Sequence, residues 1–177
     1  MQKKPKVLLM DSNVLIDYQK SDFSVLGLVN KYVAEVYVLT TIIEEVDGLE
    51  IVDCERLGIK AIEPELNQLR RAAIKHGKLS FRDHLCLIVA SDENYICVTN
   101  DKPLRKACSD IGVDILWGLE IMIALVQTSS MRASEAIRIA EKIHFSNPLH
   151  ITRTLIDTFA KKAISVEKRR GGKFSCQ

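Results

Sequence analysis

Short apolar runs rich in β-branched residues alternate along this chain with longer segments of helical periodicity, and this alternation restricts the fold more than any other feature. The helical segments lie between predicted strands at 7–10, 36–39, 59–62, 95–99 and 113–117. Strands that are separated by helices favour a parallel sheet covered on both faces. We therefore predict an α/β protein with three layers, α/β/α, around a central parallel sheet.

A different pattern follows a helix predicted at 118–127. Residues 131–145 are amphipathic, and Asn147-Pro148 is typical of a cap and first-turn proline for another helix, over 148–165. The sequence thus predicts three parts: a domain over 1–127, a helical extension over 128–166 and a basic flexible tail over 167–177.

The net charge of +2 is unevenly distributed. Residues 161–177 hold six basic residues and one acid, so the preceding part of the chain is mildly acidic. A basic end of this kind suits either a solvated chain terminus or an arm that binds phosphates, and the sequence leaves both readings open.

The cysteines and the lengths of the apolar runs indicate the cellular compartment of the protein. The odd number of cysteines and the lack of a Cys-x-x-Cys pair favour reduced thiols over disulfides or a zinc site. No apolar run reaches the roughly 18–20 residues of a membrane span. The apolar stretch at 7–10 is too short for a secretory signal. We expect a cytoplasmic protein without a membrane partner.

Two predicted strands end in aspartates. Asp11 directly follows the strand at 7–10, while Asp101 follows the strand at 95–99 and begins a helix. Ligands of open parallel sheets collect at the carboxyl ends of the strands. Both carboxylates are therefore placed to enter one crevice.

Two further acids lie at predicted helix starts. Thr41-Ile-Ile-Glu44 has the spacing of a capping box, which assigns Glu44 to the backbone and leaves Glu45 without a local partner. Ser80-Phe-Arg-Asp83 has the same spacing, so Asp83 can be read as a cap. A functional role for Asp83 is favoured by the apolar character of its helix. An unpaired carboxylate is costly to bury there, and a divalent cation would neutralise its charge.

Together these acids favour a metal site. Oxygen ligands select hard cations such as Mg²⁺ or Mn²⁺. One or two such ions can activate water for phosphodiester cleavage. Taken singly, each acid is more often a helix cap or a surface group, so the prediction depends on their convergence.

Four segments in order carry a family resemblance: Leu9-Met-Asp11-Ser-Asn13-Val-Leu-Ile-Asp17, Thr40-Thr-Ile-Ile-Glu-Glu45-Val46, Asp83-His-Leu-Cys-Leu-Ile-Val-Ala90 and Val98-Thr-Asn100-Asp101-Lys. They resemble the motifs of the PIN-domain family, which includes VapC-type toxins and RNA-processing nucleases. The resemblance covers about residues 5–127. It implies a Mg²⁺- or Mn²⁺-dependent endoribonuclease, with RNA as substrate and, in a toxin, an antitoxin protein as partner.

The resemblance also implies residue roles. It assigns metal binding or the positioning of water to Asp11, Glu45, Asp83 and Asp101, and a supporting role to Asn13, Thr99 and Asn100. From the residues themselves, Lys102 and Arg105 are candidates for RNA phosphate contacts, although a solvated helix face explains them equally well. His84 stands where the family often has a small residue, and we expect it to be tolerated by packing.

Other functions stay open. The chain could be an RNA-processing nuclease without an antitoxin, or a non-catalytic module that binds RNA or protein and keeps the acids only as caps. The C-terminal helices lie beyond the usual compact toxin. Self-association of two copies through the helices after 118 is also left open.

Overall fold

The computed structural model describes residues 6–74 and 77–171 and is built on a five-stranded, all-parallel sheet. The strands are β1 (Val7–Met10), β2 (Glu35–Leu39), β3 (Lys60–Ile62), β4 (Ile96–Val98) and β5 (Ile115–Leu116). Their order across the sheet is β3-β2-β1-β4-β5. Helices cover both faces, so the predicted three-layer α/β/α class is confirmed.

The described residues contain ten helices. They are α1 (Ser12–Ser21), α2 (Ser24–Tyr32), α3 (Thr40–Ile43), α4 (Ile51–Arg56), α5 (Leu66–Ala73), α6 (Phe81–Glu93), α7 (Lys102–Asp110), α8 (Glu120–Gln127), α9 (Ala133–Ser146) and α10 (Arg153–Gly171). Helices α5, α6 and α7 pack in succession, whereas α8 packs on α2, α9 on α1, and α10 on α8 and α9. The C-terminal helices thus lie against the elements that follow β1.

The central position of β1 in the sheet explains why this strand has no polar residue. All four residues of β1 are buried, since the strand has neighbours on both edges and helices on both faces. The hydrophobic core extends without a break into α9 and α10 through residues such as Ile139, Ile143, Ile156 and Phe159.

The strand order creates a switch point beside β1. The chain passes from β1 outward to β2 and β3, then returns to the other side of β1 for β4 and β5. At such a reversal the connections diverge on opposite faces, and open parallel sheets form their ligand crevice at the carboxyl ends of the two central strands. The segments after β1 and β4 border this crevice.

The helical segment predicted between the second and third strands is not one continuous helix. The chain forms two short helices, α3 and α4, with a turn between them in which Gly48 has a φ of 71°. The capping box predicted for Thr41 and Glu44 is also wrong, because β2 runs directly into α3 and the cap position falls on Leu39. The Thr41 hydroxyl is instead buried, without a hydrogen-bond partner among the described residues.

The predicted start of the last helix is wrong as well. Asn147 follows the end of α9, and its N–H donates to the carbonyl groups of Ile143 and His144. Helix α10 begins at Arg153, where the Thr152 hydroxyl accepts a hydrogen bond from Leu155 N at 3.4 Å. Asn147 is thus the C-cap of α9 and not the N-cap of the next helix, and its side chain bonds to Asp17 of α1.

The last helix also runs beyond its predicted end at 165, to Gly171. Glu167 Oε1 accepts a hydrogen bond from Ala133 N at 2.9 Å, and Arg170 Nη1 donates to Val126 O at 2.8 Å. These contacts hold the first part of the predicted tail against α8 and α9. Residues 172–177 of that tail, including Cys176, lie outside the described residues.

Four cysteines, Cys54, Cys86, Cys97 and Cys108, are free and buried in the core. Within residues 6–74 and 77–171, no helix combines the length and the apolar character that a membrane crossing requires.

Candidate functional site

Asp11 lies at the carboxyl end of the central strand and is completely buried. Its N–H donates to Val98 O at 3.0 Å, which continues the pairing of β1 with β4. Its side chain caps α1, because Oδ1 accepts a hydrogen bond from Ser12 N at 2.7 Å. A strand that ends in a capping aspartate therefore places a carboxylate at the bottom of the crevice.

Thr99 joins the two strand ends. Its hydroxyl donates to Asp11 Oδ2 at 2.8 Å and accepts from Asp101 N at 3.0 Å. Thr99 and Asp11 are 88 residues apart in the chain, so only the pairing of β1 with β4 brings them together. Asp101 in turn caps α7, with Oδ2 accepting from Leu104 N at 2.8 Å. The structure thus brings Asp11 and Asp101 to one edge, as predicted.

Asp83 lies in the first turn of α6. The predicted capping box is confirmed, since Ser80 N donates to Asp83 Oδ2 and Asp83 N donates to Ser80 Oγ, each at 3.1 Å. The negative charge of Asp83 contributes to the raised pKa of Asp11, which places the two carboxyl groups within electrostatic reach of each other.

Glu45 pairs with an arginine at the start of α6. Its carboxylate pairs with Arg82, at 3.6 Å from Oε1 to Nη1, and its side chain is 38% exposed. The Arg82 Nε atom also donates to Thr41 O at 3.1 Å. Glu45 therefore lies beside the start of α6 with a positive partner of its own.

Burial and charge raise the pKa of the Asp11 carboxyl to about 6. Burial is the largest cause, and the nearby Asp83 raises the pKa further, whereas hydrogen bonds from Thr99, Ser12 and Asn13 lower it. The Asn13 bond is long, at 3.4 Å from Nδ2 to Asp11 Oδ2, and Asn13 itself is exposed. Asp11 is thus a carboxylate whose negative charge is costly in this site.

The donor set fits a hard divalent cation. A carboxylate offers about four lone-pair positions, and four donors contact that of Asp11: Ser12 N and the Thr99 hydroxyl at 2.7 and 2.8 Å, and Asn13 Nδ2 and the Ser12 hydroxyl at 3.4 and 3.5 Å. A cation would therefore take the place of the two long, weak bonds. Asp83 and Asp101 add negative charge at the same edge of the sheet. Among the residues that the structure describes, however, no three carboxylate, histidine or cysteine side chains are already arranged as a metal-binding group.

Asn100 supports the scaffold. Its Nδ2 atom donates to Asp17 Oδ2 at 3.0 Å, and its Oδ1 atom accepts from Gly118 N at 3.0 Å. These bonds tie the segment after β4 to α1 and to the chain after β5. Asn100 therefore fixes the position from which Asp101 enters the crevice.

Asp17 is a buried acid whose role the sequence did not indicate. It is 3% exposed and accepts one hydrogen bond from Asn100 and one from Asn147, whose Nδ2 lies 2.9 Å from Asp17 Oδ1. Burial raises its pKa, and the two amides lower it. The apolar neighbours of Asp17 on α1 could have marked it as buried, but no local signal points to Asn147, which lies 130 residues away.

Replacing Asn147 with alanine is expected to destabilise the protein by about 1.5–3 kcal/mol at neutral pH, because a buried carboxylate loses a hydrogen bond. The pKa of Asp17 is already raised by burial, and losing the amide raises it further. The loss should therefore shrink in acid, where Asp17 is protonated, and be largest where it is ionised. Urea unfolding across this pH range measures the effect. The control Asn67→Ala, at an exposed position of α5, should show no such loss, and an equal loss in both variants would contradict the prediction.

The two basic candidates differ in what they contact. The Arg105 guanidinium stacks on Trp117, 3.8 Å from the ring centroid, and donates to the Asn100 carbonyl. Lys102 is exposed at the first position of α7, next to Asp101. Lys102 is therefore the better placed of the two for contact with a phosphate. His84 is buried, with Nδ1 3.2 Å from Ala72 O.

Comparison of the sequence with protein-family models and with curated proteins gives no match.

Proposed function

We propose that the protein is an endoribonuclease that depends on Mg²⁺ or Mn²⁺ and that its site is the crevice between the ends of β1 and β4. The observation that carries this proposal is the meeting of Asp11 and Asp101 through Thr99 at the switch point of a parallel sheet. Asp83 adds a third carboxylate, whose negative charge acts on Asp11. The four ordered segments that resemble the PIN-domain family support RNA as the substrate.

Each side chain has a distinct part in this proposal. Asp11 would hold one or two cations from the bottom of the crevice, with Asp83 and Asp101 contributing negative charge from the two helix starts. When bound, the cation supplies activation of a water molecule and stabilisation of the leaving oxygen. Thr99 orients Asp11, and Asn100 fixes the segment that carries Asp101.

Glu45 has a conditional place in the site. The segment that contains Glu45 resembles the second motif of the family, and this resemblance favours Glu45 as a metal ligand. In the structure, however, Glu45 pairs with Arg82. This pair is half-exposed, and an exposed ion pair is worth at most about 1 kcal/mol, so its separation costs little. We propose that Glu45 joins the other acids only when a cation is bound.

A non-catalytic RNA-binding module is the second candidate. The capping bonds of Asp11, Asp83 and Asp101 favour it, because each acid has a structural role that needs no metal. The costly burial of Asp11 beside Asp83 favours the nuclease, since a cap can be made by Ser or Asn without a buried charge.

Partners and compartment follow from the same proposal. A toxin would need an antitoxin protein, and relief of toxicity by such a protein on co-expression would distinguish it from an RNA-processing nuclease. Self-association of two copies is compatible with either. The buried free cysteines support a reducing compartment, and we propose the cytoplasm.

Incubation of purified protein with a structured RNA tests the nuclease proposal directly. We expect cleavage with millimolar Mn²⁺ or Mg²⁺, none with a chelator, and recovery when the metal is restored in excess. RNA that binds the protein but stays intact with either metal would contradict the nuclease and favour the non-catalytic module.

A further inference from the structure

A groove of about 790 Å³ lies between α6 and α7. On α6 its lining runs from His84 to Ser91, and on α7 it runs from Lys102 to Asp110 and ends at the C-cap Ile111; residues on each helix recur at spacings of three and four. Arg71 of α5 and the segment 77–79 complete the lining. Seven residues of helix rise about 10 Å, so the groove has room for two or three nucleotides of a single strand.

One end of the groove adjoins the acidic crevice. His84 directly follows Asp83 and Lys102 directly follows Asp101, and both His84 and Lys102 line the groove. Since α6 and α7 both begin at this end, the groove leads away from the acids along the two helices. A strand that occupied the crevice could continue into it.

The charge of the groove favours a polyanion. Lys78, Lys102 and Lys106 are exposed and line it near the acidic crevice and along its middle, while Asp110 lies at the far end. Arg71 also lines the groove, but it pairs with Asp92 at 2.7 Å. Positive side chains at these positions match phosphates, which dominate the affinity for nucleic acids.

The apolar part of the groove favours an unpaired strand. Leu79, Ile88, Pro103 and Ile111 contribute to its surface, and Ile111 is 56% exposed. A duplex keeps its bases stacked and presents mainly phosphate and sugar, so it would leave these side chains uncovered. A single strand can turn its bases onto them.

We propose that the groove between α6 and α7 binds a single-stranded stretch of RNA that flanks the acidic crevice. In naming RNA, the inference rests on the proposed function. The groove itself is defined by its lysines, its apolar surface and its position next to Asp83 and Asp101.

Fluorescence anisotropy with a short, unstructured, labelled RNA tests the inference, with chelator present so that nothing is cut. Lys102→Glu and Lys106→Glu should each weaken RNA binding by about 5-fold or more. Each should also reduce the slope of log affinity against log salt concentration by the amount expected for the loss of about one phosphate contact. Ile111→Ser should weaken binding without changing that dependence. The control Lys142→Glu makes the same charge change at an exposed position on α9 and should leave affinity nearly unchanged.

Equal affinity in the groove variants and the control would overturn the inference and leave the groove to a protein partner. It would also be overturned if a duplex of the same sequence bound as tightly as the single strand and lost affinity equally in Ile111→Ser. If the groove variants weaken RNA binding but no cleavage follows when metal is added, the nuclease proposal is contradicted and the inference about the groove stands. If RNA is cleaved but the groove variants bind it as tightly as the control does, only the inference about the groove is contradicted.

Discussion

Asp11→Asn is expected to lower metal-dependent RNA cleavage by at least about 100-fold, the usual cost of removing a group that stabilises charge at the centre of a site. Asn keeps the shape and can still cap α1, because its side-chain oxygen can accept from Ser12 N. The fold should therefore survive while the negative charge at the bottom of the crevice is lost. Initial cleavage rates with Mn²⁺ measure the effect, and an unchanged rate would remove Asp11 from the mechanism.

Unfolding of the same variant in chelator provides its control. The pKa of Asp11 is about 6 in the folded protein against an ordinary value of 3.8, so its ionised form opposes folding above pH 6 by up to about 3 kcal/mol. Below about pH 4 the carboxyl is neutral in both states, and this cost disappears. Asp11→Asn should thus gain stability at pH 8 and gain none in acid. A difference in stability between the variant and the wild type that is the same at pH 8 and in acid would show that the buried charge is not costly.

Thr99→Val is expected to destabilise the protein by about 2–4 kcal/mol and to slow cleavage at least about 10-fold. The substitution keeps the shape but removes the hydroxyl that donates to Asp11 and accepts from Asp101 N. Two buried or half-buried polar groups then lose their partner. Urea unfolding and cleavage rates with Mn²⁺ measure the two effects.

Thr99→Ser is the matched control, since it keeps the hydroxyl and removes only a methyl group. It should retain most of the activity and lose only the stability that a buried methyl provides, about 1 kcal/mol. If the Val and Ser variants behaved alike, the hydroxyl would not be what joins the two strand ends.

The parts of the site that the sequence predicted are those set by the strands. Asp11 and Asp101 each follow an apolar run, and parallel strands must bring their carboxyl ends to one edge. The capping box of Ser80 and Asp83 could also be predicted from the sequence, because its two residues are only three positions apart. These features depend on periodicity and on contacts within a few residues.

The parts that the sequence could not predict depend on distant contacts. The Glu45–Arg82 pair forms only after α3 and α6 are placed side by side. Asn147 has the sequence context of a helix cap, but its amide is used by the buried Asp17 carboxylate, and the next helix starts five residues after Pro148. Satisfying a buried charge outweighs a local capping preference.

Crystals of the protein soaked in Mn²⁺ test the central claim most directly, because the anomalous signal of manganese locates the ion without any assumption about activity. The account predicts a peak in the crevice between β1 and β4, within coordination distance of an Asp11 carboxylate oxygen and shared with Asp83 or Asp101, and no such peak in Asp11→Asn. A crevice that stays empty of manganese at millimolar concentration, or a peak that persists there in Asp11→Asn, would contradict it.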